Sequence, residues 1–316
     1  MKRTTTSLIM LVAFLISAFF AFAEDFLNNS SYIAQTGYGA TKESAENAAL
    51  AAISKFFQMN IEVKAEERTT VTNVGANSTM TEEVFVNSQT ELFAVHYTKP
   101  RFDKKQKQYE VTAYIDREEA WRIYEPKIED SVQSFEQFYS NAISQSDNLS
   151  KIIGLSRASK EAKQSELVKK LDFAMILNPD RAEKYGGTRN KISDIEAAIR
   201  KIAKSSSVSV KVSSDYEERV SKSVKEIFSK IGIKTLDENA EYLCSIKISE
   251  NVQTLPAGTF FTPSFAIQIE KAGEVIYSVS RQLKKIGAKN EAVAKQRAFS
   301  AVAEEIQKSL QSELAF

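Results

Sequence analysis

The chain has 316 residues, 43% hydrophobic and 26% charged, with 42 Lys and Arg against 41 Asp and Glu. That is enough apolar material for two or three packed cores, and the near-neutral balance gives no hint of a nucleic-acid partner. A single cysteine, Cys244, and a single histidine, His96, exclude an internal disulfide and a His/Cys zinc site.

The first residues read as an address. Lys2 and Arg3 precede an apolar run, Leu8 to Phe22, and Ala21-Phe22-Ala23 forms a cleavage site ahead of Glu24 and Asp25. The apolar run falls short of the ~20 residues a bilayer-spanning helix needs. A signal peptide removed after Ala23 is therefore expected. No cysteine stands at the junction, so the segment is not a lipoprotein signal. Without Lys2 and Arg3, 40 basic residues face 41 acidic ones, and the expected location is the periplasm, with outer-membrane association left open.

Tyr32 to Tyr38 has the length and composition of a strand, and Gly37 and Gly39 allow a turn. Thr41 then caps a helix on which Ala45, Ala48, Ala49, Ala52, Ile53, Phe56 and Phe57 recur at helical spacing. A stripe so rich in alanine predicts a helix lying close against a sheet. Ile61, Val63 and Ala65 alternate with charged residues, which predicts a strand running to a turn at Gly75-Ala76-Asn77. A second strand is expected over Val84 to Tyr97, with a bulge near Ser88. Lys104-Lys105-Gln106-Lys107 is a polar hairpin tip, and Tyr109, Val111, Ala113 and Ile115 form the returning strand.

Asp116-Arg117-Glu118-Glu119 has the form of a capping box. The helix it opens carries Trp121, Tyr124, Ile128, Val132, Phe135, Phe138, Tyr139 and Ile143 on one stripe, with Pro126 placed to bend it. A second helix opening at Asn148 or Ser150 is expected to run to Asn178-Pro179, and a third to follow Gly186-Gly187 with Thr188 as its cap. Val208, Val210 and Val212 form a strand, Ser214 caps a helix that ends at Gly232, and Ile233 opens another strand. Tyr242 to Ile248, Phe265 to Ile269 and Val275 to Leu283 alternate as strands, with Gly273 at a turn, and Glu291 to Leu314 is the last helix. Its Ala294, Ala298 and Ala301 repeat the spacing of Ala45, Ala49 and Ala52, which points to a shared packing solution.

The expected class is α+β, with two helix-on-sheet domains of mainly antiparallel strands. The domains are a signal peptide over 1–23, a helix-on-sheet unit over 30–123, an antiparallel helical arm over 124–205 and an α+β unit over 206–316.

No residue pattern marks a catalytic, cofactor or metal site. Gly37-Tyr38-Gly39 lacks the third glycine of a dinucleotide fingerprint and the lysine of a phosphate loop. His96 is most simply a strand residue, with a pH-sensitive role as the alternative. Two surface candidates remain. The basic group Lys99, Arg101, Lys104, Lys105 and Lys107 is either a solvated hairpin tip or a contact for anionic lipid heads or an acidic partner. Phe260 and Phe261, between Pro256 and Pro263, either begin a buried strand or project from a loop as an adhesive patch.

The run from the GYG turn through ATKESAENAALAAI to YEVTAYIDREEAW resembles a domain of small bacterial envelope lipoproteins that also forms the N-terminal part of a periplasmic flagellar assembly protein. The resemblance covers Ser31 to Tyr124, and the family's lipid-bearing cysteine is missing. Val208 to Leu314 is more loosely similar to the α/β domains at the N-terminus of the Tol-system propeller protein and in curli-secretion lipoproteins. The resemblance implies a non-enzymatic assembly or scaffolding protein of the flagellar or envelope machinery. Its partners would be envelope or flagellar-motor proteins, with contact to a membrane surface or the cell wall. A periplasmic ligand- or wall-binding protein is the alternative, and a carboxylate-based wall hydrolase ranks last.

Overall fold

The computed structural model describes residues 26–72 and 94–314. The signal peptide, the turn at Gly75-Ala76-Asn77 and the bulge near Ser88 lie outside the described residues. The class is α+β, as expected, and the described residues divide into two compact units.

The N-terminal unit comprises residues up to Asp130 together with Glu166–Gly186. Strand β1 (Tyr32–Gly39) pairs antiparallel with β4 (Gln108–Asp116), and β2 (Val95–Tyr97) and β3 (Arg101–Asp103) both pair with the other edge of β4. Thr41 Oγ1 accepts the Ser44 amide at 3.1 Å and so caps helix α1 (Lys42–Thr72), as its residue type predicts. Buried positions on α1 fall at Ala45, Ala49, Ile53, Phe57 and Ile61, a narrow stripe of every fourth residue. Gly37 faces this stripe. A Cβ there would sit 2.1 Å from the Ala49 nitrogen and 2.5 Å from the Ala45 oxygen, so the strand touches the helix backbone itself.

The strand expected from Ile61 onward is instead the continuation of α1. Ile61 extends the every-fourth stripe, and Lys64, Ala65, Glu66, Glu67 and Arg68 all favour helix, so propagating α1 wins over the short alternation.

Asp116 Oδ1 accepts the amides of Glu118 and Glu119 at 2.9 and 3.0 Å, opening helix α2 (Arg117–Ser144), which runs on through Pro126. Phe138 and Ile143, placed on its buried stripe by spacing, are exposed; Ser131 and Ala142 are buried there instead. The helix expected from Asn148 to Asn178 is two helices, α3 (Asn148–Gln164) and α4 (Leu167–Leu177), because Glu166 takes a left-handed φ of 52°. A short helix α5 (Pro179–Ala182) and a 3-10 turn (Glu183–Tyr185) lead into α6 (Gly186–Lys204). Gly186 and Gly187 therefore begin a helix instead of breaking the chain. Thr188 is buried and donates to Glu136 Oε1 at 2.7 Å, so it ties helices together and caps nothing.

Residues 124–205 do not form a unit of their own. Glu166–Gly186 belongs with the N-terminal unit, where Phe173 stacks on Phe57 at 4.6 Å; Ser131–Ser165 and the chain from Gly187 onward form the other unit. The helical stripes are consumed by two separate cores.

In the second unit β5 (Ser207–Ser213) runs parallel to β6 (Lys234–Thr235) and to β7 (Tyr242–Leu255). Strand β8 (Gly258–Lys271) pairs antiparallel with β7, and along its other edge with β9 (Glu274–Gln282) and β10 (Ile286–Ala288). Helix α7 (Arg219–Ile231) is capped by Asp215, whose carboxylate accepts the Val220 and Ser221 amides, and not by Ser214; Gly232, at φ 99°, ends it. Helix α8 (Glu291–Leu314) has the predicted limits, with Asn290 accepting the Ala292 amide at 2.8 Å.

Gly37→Ala and Ala49→Leu should each lower the unfolding free energy by about 1–3 kcal/mol, read as a shifted urea midpoint. Gly186→Ala, where an added Cβ meets nothing within 4 Å, should leave the midpoint unchanged or raise it.

Candidate functional site

The basic residues singled out by sequence gather at one end of the N-terminal sheet. Strand β3 turns into β4 through Lys104, Lys105, Gln106 and Lys107, all exposed. Asp103 Oδ1 accepts the amides of Lys105 and Gln106 at 2.7 and 3.2 Å, which fixes the turn and commits that carboxylate to the backbone. Lys107 completes the turn at φ 53°. Lys99 is exposed on the approach to β3, and Arg101 stands opposite Glu110 in the strand register.

Two large aromatic side chains accompany them. Phe102, 48% exposed, pairs in register with Tyr109, and their rings lie 5.0 Å apart. Tyr38, 53% exposed, pairs in register with Glu110. Because side chains alternate along a strand, Phe102 stands on the sheet face that carries α1 and Tyr38 on the opposite face. Lys42, in the first turn of α1, places its Nζ 6.0 Å from the Tyr109 ring centre. Sequence reasoning found the cations at this end and missed Tyr38, Phe102 and Lys42, which only strand register brings beside them.

The second candidate resolves differently. Phe260 and Phe261 lie within β8 and point to opposite faces. Phe261 is buried against Ala294 and Ala298 of α8, so it belongs to the core and is no adhesive patch. Phe260 is half-buried over Gly287 of β10, where a Cβ would approach its ring to 2.3 Å, and Lys285 Nζ lies 4.8 Å from the ring centre. An aromatic covering a cross-strand glycine is a packing device of sheet edges.

Four of the displaced ionisable groups act as ties. In the second unit Asp147 caps α3 through the Ser150 amide at 2.9 Å and also accepts from Tyr242 Oη at 2.7 Å and Lys271 Nζ at 3.3 Å. Burial alone would raise its pKa, but those hydrogen bonds outweigh it and hold the carboxyl below its ordinary range. Lys271 is raised, chiefly by its 2.7 Å bond to Glu241. Glu136 behaves like Asp147: burial opposes ionisation, and bonds from Lys191 and Thr188 overcome it. In the N-terminal unit Arg117 donates to the Ile176 and Leu177 carbonyls at the C-terminus of α4, and its pKa falls through burial.

His96 lies in β2, as expected for a strand residue, with Nε2 2.7 Å from Glu119 Oε2. Burial pushes the Cys244 thiol up to about 12, leaving it a packed apolar side chain. Among the described residues no group of acidic, His and Cys side chains is arranged to hold a metal ion, and no helix is long and apolar enough to cross a membrane. An open groove between α7 and α8 is lined by charges of both signs, including Glu217, Arg219, Lys222, Glu226 and Glu304.

No protein-family model and no curated protein matches the chain. Among solved structures it is similar to the secreted protein HP1454 from Helicobacter pylori, at 13% identity over 91% of this chain and 100% of that one, with a TM-score of 0.37. A minor lipoprotein from Acinetobacter baumannii matches at 14% identity over 34% of this chain and 90% of that one, TM-score 0.28. Lipoprotein GNA1162 from Neisseria meningitidis matches at 13% identity over 33% of this chain and 99% of that one, TM-score 0.22.

Phe261→Ala should cost about 3–5 kcal/mol in a denaturant melt, and Phe260→Ala clearly less. For the Asp147 tie the sign is fixed by its lowered pKa: its contribution is present above the ordinary carboxylate range and lost as pH falls through the folded value. Lys271, raised, contributes below its ordinary range and loses that contribution only as pH rises through its folded value. Urea midpoints should therefore hold steady through neutral pH and fall below about pH 4. Asp147→Ala should lower the neutral plateau by about 0.5–2 kcal/mol and flatten part of the acid limb.

Proposed function

We propose that the chain is a non-enzymatic component of a bacterial envelope that works by docking and assembly through its outer surfaces. The flagellar or outer-membrane machinery is the setting that the resemblance of Ser31 to Tyr124 implies. The observation that carries this reading is the use made of four partly buried or paired charges. Asp147, Glu136, Arg117 and Lys271 are spent on capping helices and tying them to neighbours, each with its partners inside one unit. An acid–base enzyme instead turns its perturbed groups toward a shared cavity. The first 23 residues support export, and the exposed cations and aromatics at the N-terminal sheet end support a surface role.

Fractionation with N-terminal sequencing should recover a mature chain beginning at Glu24 in the periplasm. A photo-crosslinking residue in place of Lys105 or Leu255, both exposed, should give a discrete adduct in intact cells from at least one position. An unprocessed cytosolic protein would overturn the reading. So would hydrolysis of wall polymer by the purified chain that a single Glu→Gln change abolishes.

A further inference from the structure

We propose that the β3–β4 end of the N-terminal unit is a peripheral docking surface for an anionic phospholipid bilayer. Lys99, Lys104, Lys105 and Lys107 are exposed and form no ion pair among the described residues. The acid closest to them in sequence, Asp103, already accepts two backbone amides of the turn. Its Oδ1 fixes the loop that carries the lysines, and its one negative charge is outnumbered by the four ammonium groups. Lys42 adds a fifth ammonium beside Tyr109, at the positive end of the α1 dipole.

Cations alone describe a wet hairpin. The added observation is that the same sheet end exposes Phe102 and Tyr38, one on each face, at roughly half of their full accessible area. An apolar ring standing in water costs free energy unless something covers it, and Phe102 stands in β3 directly before the turn that carries Lys104, Lys105 and Lys107. A lipid headgroup region satisfies both demands. Its phosphates take the lysines, and the ring enters the boundary between headgroups and acyl chains while the lysine stems extend back to the phosphates. A projecting turn with charges on several sides suits a flat, laterally fluid anionic surface better than a shaped protein groove. Near-neutral overall charge makes the attraction local to this end and not a property of the whole chain.

The proposal rests on the export reading only for the presence of a bilayer, and purified components test it separately. Co-sedimentation of the mature chain with vesicles of phosphatidylglycerol in phosphatidylcholine should show binding that salt weakens and that pure phosphatidylcholine does not support. Each lysine near an anionic surface is worth roughly fivefold in affinity. The triple change Lys104→Glu, Lys105→Glu, Lys107→Glu should therefore weaken binding at least about tenfold, with the melting temperature retained. Lys201→Glu, at an exposed position on α6, should leave it unchanged. Phe102→Trp supplies a second readout: its emission should shift to the blue when anionic vesicles are added. Absence of binding, equal binding to neutral vesicles, unaltered binding by the triple variant or an unmoved Trp emission would each overturn the proposal. Fractionation to the cytosol would remove the functional reading and leave the vesicle result standing.

Discussion

The contact on which the N-terminal unit depends is the meeting of two backbones, that of β1 at Gly37 and that of α1 between Ala45 and Ala49. Only a residue without a side chain on the strand and methyl groups on the helix permit this approach. Once it is made, the remaining layers follow. The every-fourth stripe sets the direction of α1 across β1 and β4, Phe57 is presented to Phe173, and α4 is fastened by Arg117 at its carbonyl end. The second unit uses an equally slim helix for a different purpose. Ala294 and Ala298 make room for the ring of Phe261 coming up from β8, so the small residues accommodate a large one instead of admitting backbone.

Charge is handled by one economy in both units. Helix ends present unsatisfied amides and carbonyls, and buried or half-buried ionic groups answer them, Asp147 and Asp116 at N-termini and Arg117 at a C-terminus, while Glu136 accepts from the side chains of Thr188 and Lys191 on α6. Asp147, Glu136 and Arg117 are partly desolvated and would be costly alone, and the hydrogen bonds that Asp147 and Glu136 accept outweigh that cost. Such groups hold shape. What remains available to meet another molecule is on the outside, and there the N-terminal sheet end differs from an ordinary wet turn because its lysines share space with uncovered rings.

Much of this was legible in residue order wherever a local rule had no rival. Thr41 and Asp116 as caps, Gly232 and Gly273 at their turns and the limits of α8 all depend on neighbours within a few positions. Local rules failed where two were in competition. Ile61 to Ala65 alternates like a strand, yet Ile61 also continues a helical stripe already nucleated. Thr188 has the type of a cap, and its hydroxyl was claimed by Glu136 from a distant helix.

By itself the sequence determined the α+β class, the alanine-striped helices and the cation cluster near the hairpin, because each is written in residues adjacent in the chain. Tertiary structure alone decided that Phe261 is core and Phe260 covers Gly287, that residues 124–205 divide between two cores, and that Tyr38 and Lys42 join the basic hairpin. Those outcomes are set by strand register and by which stripe finds a partner, and both bring together residues that the chain order keeps far apart.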